Sequence, residues 1–157
     1  IPIISYNYGA QKPDRMKRTM KLGVMVGCSI MVFCLAIMQV FPGQILKIFD
    51  ATDEMLLMGI PAVRIMSTAF IFAGFSVTCS GMFQAVGKGV YSMIVSMARQ
   101  LFVILPVAYF LSKAMNSVNG VWAAFPIAEV FSVIISTIFL LRVYKKIVKP
   151  MESVQRD

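Results

Sequence analysis

Leu22–Leu46, LGVMVGCSIMVFCLAIMQVFPGQIL, runs for 25 residues without a charge. At ~1.5 Å of rise per residue a helix of this length crosses the ~30 Å hydrocarbon layer of a bilayer. The residues before it, KPDRMKRTMK (12–21), are polar and basic. A basic lead into an apolar run is also the pattern of a signal peptide. The apolar run exceeds a ~7–15-residue signal core, however, and no small-residue cleavage site follows. The stretch therefore reads as a complete membrane span, closed at its far end by Pro42-Gly43.

Three further spans lie downstream. Residues 47–58 hold Asp50, Asp53 and Glu54 against a single Lys47 and read as an acidic connection. Gly59 to Gly87 carries one charge, Arg64, one turn inside, where a guanidinium can reach back to the interface. Gly87-Lys88-Gly89 is a tight turn, and Val90–Leu111 is the third span, interrupted by Arg99 and Pro106. Residues 112–119 are a polar connection. Gly120–Leu141 is the fourth span, interrupted by Pro126 and Glu129, and 142–157 form a basic tail with Arg142, Lys145, Lys146, Lys149 and Arg156. Residues 1–10 are too short to span and read as the end of a preceding helix. With Ile1 in place of a starting Met, a piece of a longer protein is expected. The expected fold is all-α: a polytopic membrane bundle of four complete transmembrane helices plus the end of another.

Composition agrees. Of 157 residues 59% are apolar and 14% charged, against ~25% charged in soluble domains. The net charge of +8 would favour a nucleic-acid partner in a soluble protein. Here the basic residues sit at the edges of apolar blocks, so a lipid bilayer and no nucleic acid is the expected partner. If segment 12–21, the Lys88 turn and the tail share a side, that side holds eleven Lys and Arg while the opposite connections hold only Lys47 and Lys113. Basic loops face the cytoplasm, which places the tail there. Trp122 falls near the outer boundary, and Tyr91 and Tyr144 near the inner one. The three cysteines, Cys28, Cys34 and Cys79, are scattered through apolar runs and read as packing residues. Histidine is absent, so no imidazole base or His-ligated zinc is available in this segment. No phosphate loop, paired catalytic carboxylates or dinucleotide fingerprint occurs; no enzyme, no cofactor and no metal site are expected.

Two ionisable residues lie deep in spans, where a charge costs ~2.5–3.5 kcal/mol on insertion scales. Arg99 falls about 14 Å and Glu129 about 18 Å from the inner boundary at 1.5 Å per residue. Neighbouring helices would let the two side chains meet. Glu129 is then either half of an intramembrane pair with Arg99 or a carboxylate facing a cavity. Pro106 and Pro126 lie on roughly the faces of these two charges, and each releases a carbonyl four residues earlier, at Phe102 and Trp122. Freed carbonyls at membrane depth mark cavities in broken-helix transporters. Gln84 offers an amide to a neighbouring helix or to a substrate. Ser67, Gly74, Thr78, Gly81 and Ala85 form one small-residue face for close helix packing. Gly23 and Gly27, and the ridge Ala124, Ala128, Ser132 and Ser136, repeat that theme. The thirteen methionines and twelve phenylalanines suit an adaptable pocket as well as ordinary packing.

Four motifs follow in order: PIISYNYGA (2–10) ahead of the basic segment, FQAVGK (83–88) closing a span, Arg99-Gln100 followed by Pro106, and GVWAAFPIAE (120–129). Together they resemble the multidrug and toxic compound extrusion (MATE) family over essentially the whole chain. The resemblance implies twelve helices in two six-helix lobes around a central path, of which this chain would be the end of helix eight and helices nine to twelve. The rest of the protein, a missing N-terminal lobe, is the implied partner. The implied activity is secondary antiport by alternating access: drugs or other small, cationic molecules are exported in exchange for protons or sodium across a bacterial plasma membrane. Glu129, Arg99, Gln84, Pro106 and Pro126 are the pathway candidates. Some members carry an acidic residue of a sodium site in the tenth helix. Here Gly59–Gly87 has no Asp or Glu, which favours proton coupling or coupling through the other lobe. A lipid-linked oligosaccharide flippase of the same superfamily would need Arg99 unpaired toward a cationic lumen. A non-transporting membrane scaffold would need dry helix interfaces around Glu129.

Overall fold

The computed structural model describes residues 1–154 and contains no strand among them; Arg156 of the basic tail lies outside the described residues. The helices are α1 (Pro2–Gly9), α2 (Pro13–Val40), α3 (Pro42–Ile48), α4 (Asp53–Ser67), α5 (Phe70–Ala85), α6 (Gly89–Met97), α7 (Leu105–Met115), α8 (Asn119–Val143) and α9 (Lys149–Val154). π-Helical segments, Ala98–Ile104 and Tyr144–Val148, join α6 to α7 and α8 to α9 without a break. Three continuous helices are long and apolar enough to cross a membrane: Pro13–Val40, Gly89–Met115 and Asn119–Ser153. The α4–α5 pair passes the same test jointly but is bent by 54°.

The boundaries differ from the sequence reading in instructive ways. The first spanning helix begins at Pro13, not Leu22, so the basic segment 12–21 is its first two turns. Pro13 sits at the start, where a missing N–H costs nothing, and Asp14 faces the positive end of the helix dipole. The apolar run is part of a longer helix and does not mark where that helix begins. It also ends earlier: Pro42 pushes Phe41 out of helical geometry (φ −119°, ψ 38°), and the chain restarts as α3. The acidic connection is half helix. Thr52 caps α4 by accepting from the Met55 N–H, and Asp53 and Glu54 occupy its first turn.

The single span expected over 59–87 is two helices. At the break the Ser67 and Thr68 hydroxyls donate to the carbonyls of Arg64 (3.1 Å) and Ile65 (2.7 Å), and the backbone tightens to i→i+3 bonds at Thr68 and Ala69. Hydroxyls bonding back onto their own helix bend it. Two residues beyond the end of α5 lies Gly87, whose φ of +73° only glycine adopts freely. The Lys88 N–H then reaches the Phe83 carbonyl (2.7 Å) and the Gly87 N–H the Gln84 carbonyl (3.1 Å), closing the helix end. Residues 142–154 are not a free tail. They continue α8, place Val143 and Val148 in a core that includes Met16, Met82, Phe83 and Cys79, and bury Met151 as well.

That core brings the start of α2, the Lys88 turn and the end of α8 to one end of the bundle. Lys17 Nζ lies 2.9 Å from Glu152 Oε1 and 3.0 Å from Asp14 Oδ1. Phe83 meets the rings of Tyr91 and Phe139 edge-on at 6.0 and 6.2 Å, and those two stack at 4.5 Å. Tyr91 is thus half-buried among aromatics. Along α2 and α5 small residues let the backbones nearly touch: a Cβ on Gly74 would lie 2.9 Å from Cys28 Cα. On the α7–α8 side a Cβ on Gly120 would lie 2.6 Å from the Leu111 carbonyl carbon.

The five residues expected to form one packing face are divided by the bend. Ser67 lies before it. Gly74 and Thr78 face Gly27 of α2, Gly81 lies near Ile1, and the Ala85 carbonyl accepts from Ser5 Oγ at 3.0 Å.

Candidate functional site

The π-helical segment Ala98–Ile104 places half-buried Arg99 and exposed Gln100 on the wall of a cavity that Glu129 of α8 also lines. Its position just ahead of Pro106 has a physical cause. Proline withdraws one donor from the helical ladder, and a local π adjustment lets the neighbouring carbonyls find partners again. Such segments recur at functional sites.

Arg99 Nη1 donates to Glu129 Oε1 at 2.5 Å. Glu129 is 8% exposed, on the face of α8 that also buries Ala124, Ala128, Ser132 and Ser136. The contact is single-pronged: Arg99 Nε and Glu129 Oε2 are buried and make no hydrogen bond among the described residues. A carboxylate in an apolar interior needs a cation or a proton beside it, and the guanidinium fills that role here. The pair also borders open space. A cavity of about 390 Å³ is lined by Arg99, Gln100 and Glu129 together with apolar Met38, Met66, Phe70 and Phe125. The two readings of Glu129, paired or cavity-facing, therefore describe the same arrangement.

A second cavity, of about 360 Å³, has a different chemistry. Ser76, Ser80, Gln84, Ser92 and Ser96 line it, and Arg99 lines it as well. Gln84 Nε2 donates to Ser92 Oγ at 3.1 Å, so this amide both bonds the next helix and faces the space between.

The remaining pathway candidates act on the backbone. Pro106 is exposed and Pro126 half-buried, and it is their neighbours Ile104 and Phe125 that line the first cavity. Ser67, expected as a packing residue, is in that cavity's wall. Sequence reasoning missed Gln39 of α2, whose Nε2 donates to the Arg64 carbonyl (2.8 Å) and to Ser67 Oγ (3.0 Å), tying α2 to the bend. Its signal was an amide inside an otherwise apolar, uncharged run. Gln100 and the serines of the second cavity were also missed, because no one of them is unusual in a membrane helix. Among the described residues no group of three or more His, Cys, Asp or Glu is placed to hold a metal ion.

The MatE family model matches residues 1–110. The multidrug export protein MepA of Staphylococcus haemolyticus (strain JCSC1435) is 26% identical over 123 residues, which are 78% of this chain and 27% of that protein. The probable multidrug resistance protein YoeA of Bacillus subtilis (strain 168) is 26% identical over 139 residues, 88% of this chain and 30% of that protein. The chain thus spans under a third of the length of these relatives. Among solved structures, the MATE multidrug transporter DinF-BH, in complex with a small molecule, superposes with a TM-score of 0.78 at 31% identity, over 91% of this chain and 31% of that one. An inward-facing multidrug resistance MATE family transporter of the MOP superfamily superposes with a TM-score of 0.84 over 97% of this chain and 34% of that one. At 18% identity, that second likeness speaks for the fold alone.

Proposed function

The chain belongs to the MatE family, and on that premise we propose that it forms part of the second lobe of a secondary antiporter that exports drugs or other organic cations. Protons or sodium drive the exchange, and alternating access carries the substrate across a bacterial plasma membrane. The basic end of the bundle, with the α8–α9 continuation, faces the cytoplasm. The observation that carries this reading is the 390 Å³ cavity walled by a bent helix pair and a π-helical segment, with one carboxylate in its lining. Broken helices around a polar centre are how membrane transporters accommodate cargo without exposing backbone to lipid. Apolar and methionine side chains in the same lining suit cargo of varied shape.

Glu129 is the only carboxylate between Glu54 and Glu152, and it is the coupling and substrate-facing acid of this segment. Its pairing with Arg99 leaves no unpaired Lys or Arg among the described residues lining the two cavities for a pyrophosphate-bearing lipid, and open space beside it is unlike a closely packed scaffold interface. Both features favour the exporter over those alternatives. The test uses the complete protein that carries this chain, reconstituted in proteoliposomes. A cationic dye moves against an imposed proton or sodium gradient. If neither gradient drives dye movement, the antiporter reading fails.

A further inference from the structure

Arg99 is the residue the two cavities share, and the cavities differ in what they offer. On one side lie Glu129 and the apolar walls of Phe70, Phe125 and Met66. On the other lie the hydroxyls of Ser76, Ser80, Ser92 and Ser96 and the amide of Gln84. The Gln84 amide donates through Nε2 to Ser92, which leaves its carbonyl oxygen as an acceptor toward that space.

The ion pair between the cavities is built to exchange. Arginine–carboxylate pairs are frequently held by two parallel hydrogen bonds, which fix their geometry. Here one Nη1–Oε1 contact joins them, and Arg99 Nε and Glu129 Oε2 have no partner among the described residues. Both groups keep bonding capacity unused, and the guanidinium, with 29% of its side chain exposed, has room to turn.

We propose that Arg99 is a tethered cation: a cationic ligand entering the apolar cavity takes its place at Glu129, and the guanidinium moves across to the serine-lined cavity. This rests on the exporter reading above and names how that site selects charge. With the ligand seated, Glu129 remains paired with a positive charge. The displaced guanidinium gains hydroxyl and carbonyl acceptors in place of the carboxylate. A neutral ligand of the same shape has nothing to offer Glu129 and leaves the pair closed. The resting pair therefore sets a threshold that only a cation overcomes, and the serines lower that threshold by receiving the arginine.

The test is equilibrium dialysis on the purified complete protein with tetraphenylphosphonium and the neutral triphenylphosphine oxide. Arg99→Gln removes the competing cation. It is expected to bind tetraphenylphosphonium roughly tenfold tighter, the equivalent of one charge-assisted hydrogen bond no longer broken, with the neutral compound unchanged. Ser80→Ala with Ser96→Ala leaves the resting pair intact and removes part of the receiving site. It is expected to weaken tetraphenylphosphonium binding roughly threefold to tenfold, again without effect on the neutral compound. Should Arg99→Gln fail to fold, the serine variant decides alone. Weaker cation binding in Glu129→Gln without a gain in Arg99→Gln or a loss in the serine variant overturns the displacement and leaves the exporter reading standing. Cation binding indifferent to Glu129→Gln overturns the displacement outright, while dye transport driven by an ion gradient still decides the exporter reading separately.

Discussion

Gln39 Nε2 lies 3.0 Å from Ser67 Oγ and 2.8 Å from the Arg64 carbonyl, so the amide of one spanning helix holds the broken end of the next. The α4–α5 bend is a tertiary feature as much as a local one. Gln39→Leu keeps the size and removes the donor, and is expected to cost about 0.5–1.5 kcal/mol, the usual worth of such a bond. Thermal unfolding of the complete protein in detergent reads this loss. An unchanged midpoint would show that the bend stands without α2.

Close backbone approach makes two glycines irreplaceable. Gly120→Ala would place a methyl group 2.6 Å from the Leu111 carbonyl carbon and oxygen, and Gly74→Ala one 2.9 Å from Cys28 Cα. Neither obstacle is a flexible side-chain end, so the helices must separate, at about 1–3 kcal/mol each by analogy with overpacked cores. Gly9→Ala is the control, since nothing lies within 4 Å of its added carbon. The three melting midpoints, ranked, check the packing.

The Arg99–Glu129 contact predicts a non-additive cycle. Removing either partner alone leaves a buried, uncompensated charge, which costs about 3–5 kcal/mol. Glu129→Gln and Arg99→Gln together leave two neutral amides able to bond each other. Folded yield of the double variant is expected to exceed that of either single variant. Equal yields across all three would show that the pair contributes nothing to folding.

Topology is testable with thiol labelling in a background where Cys28, Cys34 and Cys79 are replaced by alanine. Lys88→Cys and Ser153→Cys are expected to react from the cytoplasmic side, and Lys47→Cys and Lys113→Cys from the opposite side. The basis is the excess of basic residues at the end where Lys17 meets Glu152. Labelling of Lys47→Cys and Lys88→Cys from one face would refute the alternation of spans.

What the sequence reveals and what it conceals follow a physical rule. Arg99 and Glu129 stand out because an ionised group in hydrocarbon needs a partner, and similar depth on two helices makes each the natural one for the other. The glycines of α2 and α5 stand out because small residues at helical spacing have one common use. The bend at Thr68 is concealed, since hydroxyl residues are common in membrane helices and the Gln39 contact to this break comes from another helix. Pro106 announces a disturbed ladder, but whether the ladder kinks or slips into a π turn depends on what packs beside it. The serine-lined cavity is assembled from α5 and α6 by the Lys88 turn. Its residues become a set only when those helices lie side by side.

The clasp of α9 onto α2 bears on the order in which this polypeptide matures. Met16, fully buried, belongs to the same core as Val148, and Lys17 finds Glu152 across that seam. During synthesis the first spanning helix is threaded into lipid long before its covering partner leaves the ribosome. Until then its basic turns are without Glu152, and Met16 is without the part of its cover that Val143 and Val148 supply. A shortened product ending near Arg142 would keep them so, and would present quality-control machinery with an apolar spot that the finished bundle hides.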